Sequence, residues 1–202
     1  MVNGIGVTEV RNVAGNPTVD GRELSEQEIR ENYLQLGNML IQRDLYDSYA
    51  TEDVSGKTYV TLNLKDGTLL RQGLFDEFED DENSFISREA DGTIVFEGFS
   101  SAKVFGTSKN DKYKIRNSFG CEIDPGRGND EVTLQRAKAT NIALYKQSLG
   151  EVDSIDVDNR SGAYIGHDSD NDNYGPFGGY KGIKGTISKN FMGQSVFNYV
   201  NK

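Results

Sequence analysis

The sequence predicts a mainly β protein with one N-terminal helix. Ten tyrosines and ten phenylalanines occur without a tryptophan, a mix that suits half-buried pleated surfaces. From Lys57 onward, apolar residues alternate with polar ones in several short segments, which is the period of a strand. The chain of 202 residues is long enough for one ordinary domain or two small ones.

The charge balance excludes one class of partner. Acidic residues outnumber basic ones 32 to 22, and the net charge is -10. Such a chain repels a phosphate backbone, so nucleic acid is not expected as a partner. Nor does any apolar stretch reach the length of a membrane span.

Cysteine usage and the N-terminus bear on compartment and chemistry. Cys121 is the one cysteine, so an internal disulfide framework and a thiolate zinc site are both excluded. Its surroundings do not resemble a nucleophile turn, and a catalytic pair with the single histidine, His167, is disfavoured. The first residues lack the charged start and apolar run of a secretory leader, so export without a conventional signal peptide is expected.

Three segments differ in composition. Residues 1–23 form a polar arm, of which residues 7–10 could add a strand to a sheet edge. Residues 24–103 are predicted to hold the helix and β-hairpins. Residues 104–202 carry short strands separated by glycine-rich turns and acidic loops.

The helix start is marked by two signals. Ser25 and Glu28 have the spacing of a capping box, and Leu24 with Ile29 has that of a hydrophobic staple. Apolar residues then recur at helical spacing, which predicts a helix that ends near Asp47.

Two hairpin turns share the letters DGT. Residues 58–64 alternate in polarity, the turn at Asp66-Gly67 reverses the chain, and residues 68–75 return as a second strand. Asp91-Gly92 leads into another strand over residues 93–99. The acidic run of residues 76–83 between them is predicted to be an exposed loop.

Three later segments have the form Asp-x-apolar-x-apolar. They begin at Asp111, Asp130 and Asp153, and each is a turn that runs into a short strand. The first two follow the stretches GTSKND and DPGRGND, and their aspartates lie 19 residues apart, close to twice a nine-residue unit.

The stretch PGRGNDEVT, residues 125–133, resembles one copy of the nonapeptide G-G-x-G-x-D-x-U-x of the repeats-in-toxin (RTX) family, also called the haemolysin-type calcium-binding repeat. Pro125 replaces the first glycine, and residues 106–114 resemble the unit more weakly. The resemblance covers residues 104–134. It implies a parallel β-roll or β-helix-like region with calcium between successive turns. The candidate ligands are Asp111, Asp124, Gly126, Gly128, Asn129 and Asp130.

A second candidate calcium loop contains Asp168, Asp170 and Asp172. Alternating aspartates open an EF-hand loop in the same way. The turn glycine of that motif is replaced by Asn173 and its glutamate by Gly179, so only a looser calcium loop is expected.

These observations favour a non-enzymatic, calcium-binding secreted or surface-associated bacterial protein whose turns become ordered when calcium binds. In one alternative, the same residues form ordinary turns of a metal-free β-solenoid that binds a protein or glycan partner. In another, the chain is a secreted effector with hydrolase activity or with calcium-triggered self-processing, for which the Asp124-Pro125 bond is the candidate.

Overall fold

The computed structural model describes residues 6–74, 83–143, 148–166, 183–189 and 195–199. Its N-terminal elements are one helix, α1 (Glu26–Asn32), and nine strands, which are β1 (Thr8–Glu9), β2 (Thr18–Val19), β3 (Arg22–Glu23), β4 (Tyr33–Leu36), β5 (Met39–Gln42), β6 (Tyr46–Val54), β7 (Lys57–Leu64), β8 (Leu69–Leu74) and β9 (Ser84–Arg88).

The elements described after β9 are all strands. They are β10 (Ile94–Glu97), β11 (Lys103–Phe105), β12 (Lys112–Arg116), β13 (Glu122–Asp124), β14 (Glu131–Gln135), β15 (Thr140–Ala143), β16 (Val152–Val157), β17 (Ala163–Gly166), β18 (Ile183–Lys189) and β19 (Ser195–Tyr199). The prediction of a mainly β chain is confirmed.

Two large sheets enclose one hydrophobic core. A ten-stranded sheet has the order β1-β4-β5-β9-β10-β12-β14-β16-β18-β19, and a seven-stranded sheet has the order β17-β15-β13-β11-β8-β7-β6. Buried side chains from both sheets belong to the same cluster. The N-terminal hairpins and the later strands therefore share a core.

From β10 to β17 the chain winds as a β-solenoid of about four turns. Each turn places one strand in each sheet, and strands of successive turns pair in parallel. Tyr113 lies beside Val132, which lies beside Ile155, so the three Asp-x-apolar-x-apolar segments stack in register. The alternating apolar residues require this register because a shift by one would turn them to the solvent face. The β-helix-like region is thus confirmed.

One corner of the solenoid repeats a backbone feature that sequence patterns do not reveal. Gly98, Asn117 and Arg136 occupy equivalent positions in successive turns, and all three have positive φ angles, of 75°, 49° and 53°. The left-handed backbone lets the chain pass from the ten-stranded to the seven-stranded sheet within a few residues.

The predicted DGT hairpins form. β7 and β8 pair antiparallel across the Asp66-Gly67 turn, and β9 and β10 pair antiparallel across the Asp91-Gly92 turn. The predicted loop at residues 76–83 lies almost wholly outside the described residues.

The predicted long helix was wrong beyond its first two turns. The capping box of Ser25 and Glu28 forms as expected, but α1 ends at Asn32. β4 and β5 follow as a hairpin that turns at Gly37-Asn38, where Gly37 has a φ of 60°. A Gly-Asn pair between two short apolar runs is typical of a hairpin. The apolar residues that recur at helical spacing belong to these two strands.

The arm and helix cover the outer face of the ten-stranded sheet. Here Ile29, Tyr33, Leu40 and Phe85 form a second small cluster with Val10. β1 pairs with the edge of β4, which confirms the expected strand near residues 7–10. Among the described elements, the only helix is too short and polar to cross a bilayer.

Candidate functional site

The candidate site is a column of carboxylates at the corner where the chain passes from the seven-stranded to the ten-stranded sheet. We call Asp111, Asp130, Glu151 and Asp153 the acidic corner. The pairing of β12 with β14 and of β14 with β16 aligns the three aspartates in successive turns. Their alignment is a consequence of strand register.

Two aspartates of the column bind the backbone of the preceding aspartate, and the third binds within its own turn. The Asp111 N–H donates to Asp130 Oδ1 at 2.8 Å, and the Asp130 N–H donates to Asp153 Oδ1 at 3.0 Å. Asp111 Oδ2 accepts both the N–H and the hydroxyl of Thr107, each at 2.8 Å. The carboxylates thus accept hydrogen bonds from backbone N–H groups at the corner, where these groups do not bond to a carbonyl of the sheet.

The adjacent asparagines act in the opposite direction along the column. Asn110 Oδ1 accepts the N–H of Asn129 at 2.9 Å, and Asn129 Oδ1 accepts the N–H of Val152 at 2.7 Å. The Asn129-Asp130 pair therefore bonds to the turns on both sides of it. Hydrogen bonds between stacked turns are therefore enough to explain this Asn-Asp sequence, without a bound ion.

The turn glycines allow the first two corner loops to touch. The Arg127 N–H donates to the Thr107 carbonyl at 3.0 Å. A Cβ atom on Gly126 would lie 2.0 Å from that same oxygen, and one on Gly128 would lie 2.3 Å from the carbonyl oxygen of Lys109. Gly126 and Gly128 are therefore required by close backbone contact.

Burial perturbs two of the aspartates strongly. Asp130 and Asp153 are each 1% exposed. Burial, together with the nearby Asp153, Asp111 and Glu151, raises the pKa of Asp130 to about 7. Burial and Glu151 raise the pKa of Asp153 to about 6. Near neutral pH, negative charge accumulates at this corner at a high desolvation cost.

One oxygen of this column has no hydrogen-bond partner. Asp130 Oδ2 is buried and accepts no hydrogen bond, whereas Asp130 Oδ1 holds the Asp111 amide. A buried carboxylate oxygen without a donor is costly unless the group is protonated or meets a cation.

Glu151 reaches the column from a turn of its own. The Glu151 N–H donates to the Ser148 carbonyl at 3.2 Å, and the Ser148 N–H donates back to Glu151 Oε2. The negative charge of Glu151 contributes to the raised pKa values of Asp130 and Asp153. Sequence reasoning missed both Glu151 and Asp153 as site residues. The shared Asp-x-apolar-x-apolar form could have identified Asp153. No sequence pattern pointed to Glu151.

Asp124, another predicted ligand, has a different role. Asp124 is 5% exposed at the end of β13, and its Oδ1 accepts the Gly126 N–H at 3.1 Å around Pro125. It shapes the turn and lies outside the aspartate column. The second candidate loop, with Asp168, Asp170 and Asp172, falls outside the described residues, as does His167. Cys121 is buried as expected, and burial raises the pKa of its thiol to about 11.

A cavity of about 210 Å³ opens where the column ends at its N-terminal side. It is lined in part by Asp66, Asp91 and Asp111. Each of these carboxylates is already bonded to its own turn, Asp66 to the Thr68 N–H at 2.9 Å and Asp91 to the Thr93 N–H at 3.0 Å. They act first as turn-forming groups.

Within the described ranges, no three His, Cys, Asp or Glu side chains already converge to hold a metal ion. The two loops that resemble the calcium repeat contact each other directly through their backbones. Asp130 Oδ2, which is buried and accepts no hydrogen bond, is the atom of this corner that a cation would stabilise.

Comparison with protein-family models, with curated proteins and with solved structures finds no match for this chain.

Proposed function

We propose that the protein is a non-enzymatic β-solenoid whose acidic corner binds calcium and so couples the stability of the fold to the ion. The observation that carries this proposal is the buried, unpartnered Oδ2 of Asp130 beside the carboxylates of Asp153 and Glu151. The RTX-like stretch at residues 104–134 supports the choice of calcium.

The physical argument starts from the cost of burying charge. A carboxylate removed from water must be neutralised by a proton or by a cation. Calcium binds six to eight oxygen ligands in flexible geometry, and carboxylates are its preferred ligands in proteins. An ion that binds only the folded chain stabilises the fold by mass action.

The expected affinity is modest, because the side chains must move to converge on an ion. Extracellular calcium modules bind in the range of roughly 10⁻⁴–10⁻³ M. A site of this class fills where calcium is abundant, so we place the protein outside the cell, secreted or on a bacterial surface.

Thermal unfolding with millimolar calcium, with magnesium and with a chelator tests the proposal. At a calcium concentration ten times the Kd, stabilisation is about 1.4 kcal/mol, which raises the Tm by about 3–6 °C for a chain of this size. Magnesium serves as the control for ionic strength and is expected to shift the Tm less. An identical midpoint in calcium and in chelator rules the proposal out.

A metal-free solenoid that binds a protein or glycan partner is the second candidate. It is favoured by the hydrogen bonds of the corner, because the backbone N–H groups of Asp111, Asn129 and Asp130 all donate to side-chain oxygens of neighbouring turns without any ion. Exposed aromatic side chains, Phe119 at 59% and Tyr164 at 46%, offer contact area. A Tm that is the same in chelator and in calcium supports this candidate over the calcium-binding one.

Measurement of the intact mass distinguishes self-processing from the calcium-binding and the metal-free solenoid. Calcium-triggered cleavage between Asp124 and Pro125 is the outcome expected of an effector that processes itself. An unchanged mass after incubation with calcium contradicts it.

A further inference from the structure

We propose that the free edge of β6 binds an extended, basic segment of another protein, which adds one strand to the seven-stranded sheet. Such a segment bonds to the edge through its backbone and reads its charge through its side chains. This site involves none of the residues of the acidic corner and does not depend on calcium.

β6 is the last strand of the seven-stranded sheet, and most of it is exposed to solvent. Seven of its nine residues are exposed, and the strand is longer than the usual length of about five or six residues. It contains neither proline nor lysine, which natural proteins often place on an edge strand to prevent pairing. The edge is therefore a template for another strand.

The turn between β6 and β7 fixes which backbone groups of β6 point outward. Ser55 and Gly56 have φ angles of 53° and 78°, as in a two-residue type I′ turn. The residues on either side of such a turn, here Val54 and Lys57, exchange both N–H···O bonds. Bonding alternates from there along the strand, so the N–H and C=O groups of Thr51 point away from β7.

The other side of β7 agrees with this alternation. The Leu64 N–H donates to the Thr68 carbonyl at 2.9 Å, toward β8. Val60 is an even number of residues from Leu64, so its backbone groups also face β8, and it lies opposite Thr51. Within the described part of the chain, no backbone group of Thr51 or Asp53 bonds beyond the hairpin. Their N–H and C=O groups are available to a partner strand.

The charge of the edge favours a basic partner. Asp47 and Asp53 are both exposed and lie on either side of Thr51 along β6. Among the described residues, neither carboxylate pairs with a Lys or Arg, and each accepts a hydrogen bond only from a neighbouring hydroxyl. Two uncompensated negative charges therefore flank the open backbone groups.

A second copy of this chain fits the edge poorly. It would bring its own Asp47, Glu52 and Asp53 to the interface, and each chain has a net charge of -10. Like charges that face each other across a strand pair are destabilising. A segment with basic residues gains Coulomb energy at the same positions. Because Asp47 and Asp53 are six residues apart, its basic residues should also be about six residues apart.

Three peptides and two variants test the edge. The probe is the acetylated peptide Lys-Thr-Val-Thr-Val-Thr-Lys, whose lysines have the spacing of Asp47 and Asp53. One control peptide carries Glu in place of both lysines, and the other is the probe with N-methyl groups on alternate backbone amides. Thr51→Pro removes the outward N–H of β6 but leaves its pairing with β7, because that N–H faces solvent. Thr51→Val keeps the N–H and is the matched control.

Binding is measured by calorimetry in chelator, at low and at high salt, and the Tm of each variant reports whether it is folded. We expect the natural chain and Thr51→Val to bind the probe alike, and Thr51→Pro to bind it at least about tenfold more weakly. High salt should weaken binding, because the charges at this edge are exposed.

Equal binding of either control peptide overturns the proposal, as does equal binding by a folded Thr51→Pro variant. A natural chain that does not bind the probe also overturns it. Sedimentation tests the alternative occupant, since a dimer of the natural chain that Thr51→Pro dissociates would show that a second copy pairs with this edge instead.

Discussion

At the scale of single residues, the corner shows how one sequence pattern can serve two purposes. Asn129 and Asp130 resemble ion ligands, yet their Oδ1 atoms hold the amides of Val152 and Asp111. Gly126 fits a calcium turn equally well, yet it is required because two backbones touch. Asp130 Oδ2 is buried and has no hydrogen-bond partner, so it remains open to other chemistry.

Gly126→Ala tests the stacking role. Gly126 and Gly92 have nearly the same backbone angle, with φ of +99° and +92°, but a Cβ on Gly92 meets nothing within 4 Å. We expect Gly92→Ala to lower the free energy of unfolding by about 1–2 kcal/mol through backbone strain alone. Gly126→Ala should lower it by about 1–3 kcal/mol more, because the added methyl pushes the two loops apart.

Urea denaturation in the presence of chelator measures both variants without any contribution from an ion. Equal losses in Gly126→Ala and Gly92→Ala would contradict the close contact between the loops.

At the scale of elements, a buried ion pair attaches the N-terminal arm to the solenoid. Arg116 donates to Glu97 Oε2 at 2.9 Å, and Asn117 donates to Glu97 Oε1 at 2.6 Å. The Thr18 carbonyl, in β2, also accepts from Arg116. Glu97 and Arg116 are 8% and 6% exposed, so the arm depends on a pair shielded from water.

Glu97→Gln should detach this arm. The substitution leaves the Arg116 charge buried without its counterion, and breaking such a pair costs about 3–5 kcal/mol. Limited proteolysis is expected to cut the arm around residues 14–24 faster, and chemical denaturation should report the loss of stability.

Glu122→Gln is the matched control, since Lys103 and Glu122 also pair across adjacent turns, at 3.0 Å, but with side chains 50% and 23% exposed. It should cost no more than about 1 kcal/mol. Similar effects of the two substitutions would show that the Glu97 pair does not hold the arm.

At the scale of the whole molecule, the buried carboxyls link stability to pH. Asp130 and Asp153 have raised pKa values, of about 7 and about 6, in the folded chain. The folded state therefore retains protons that the unfolded chain releases above about pH 4. Their contribution is complete below that pH and is lost as the pH rises through about 6 and about 7.

We expect the free energy of unfolding, measured by urea denaturation in chelator, to fall between about pH 5 and pH 7. The slope should reach about 1.4 kcal/mol per pH unit for each carboxyl that stays protonated. On the acid side, Glu28 has the opposite effect, because Arg22 and the Ser25 amide lower its pKa to about 2. Stability is thus expected to be highest at weakly acidic pH.

Asp130→Asn should flatten the fall toward neutral pH, because asparagine does not titrate. Calcium should also flatten it in the natural chain, since the cation takes the place of the protons. A free energy of unfolding that does not change from pH 5 to 8 in chelator would contradict the burial of these carboxyls.

The sequence by itself determined the features that depend on near neighbours. Alternation in polarity predicted β7 and β8 and the three strands after Asp111, Asp130 and Asp153, and the capping box predicted where α1 begins. Each of these signals lies within about ten residues, so the local chain physics is sufficient to specify it.

Only the tertiary structure decided where α1 ends and which carboxylates meet. The apolar stripe after Ile29 suits a helix and a hairpin alike, and pairing of β4 and β5 within the ten-stranded sheet selected the hairpin. Asp153 meets Asp130 through a register that spans 23 residues of chain, and the charge of Glu151 acts on both. That register is set by packing between turns of the solenoid, and no local pattern encodes the distance between two turns.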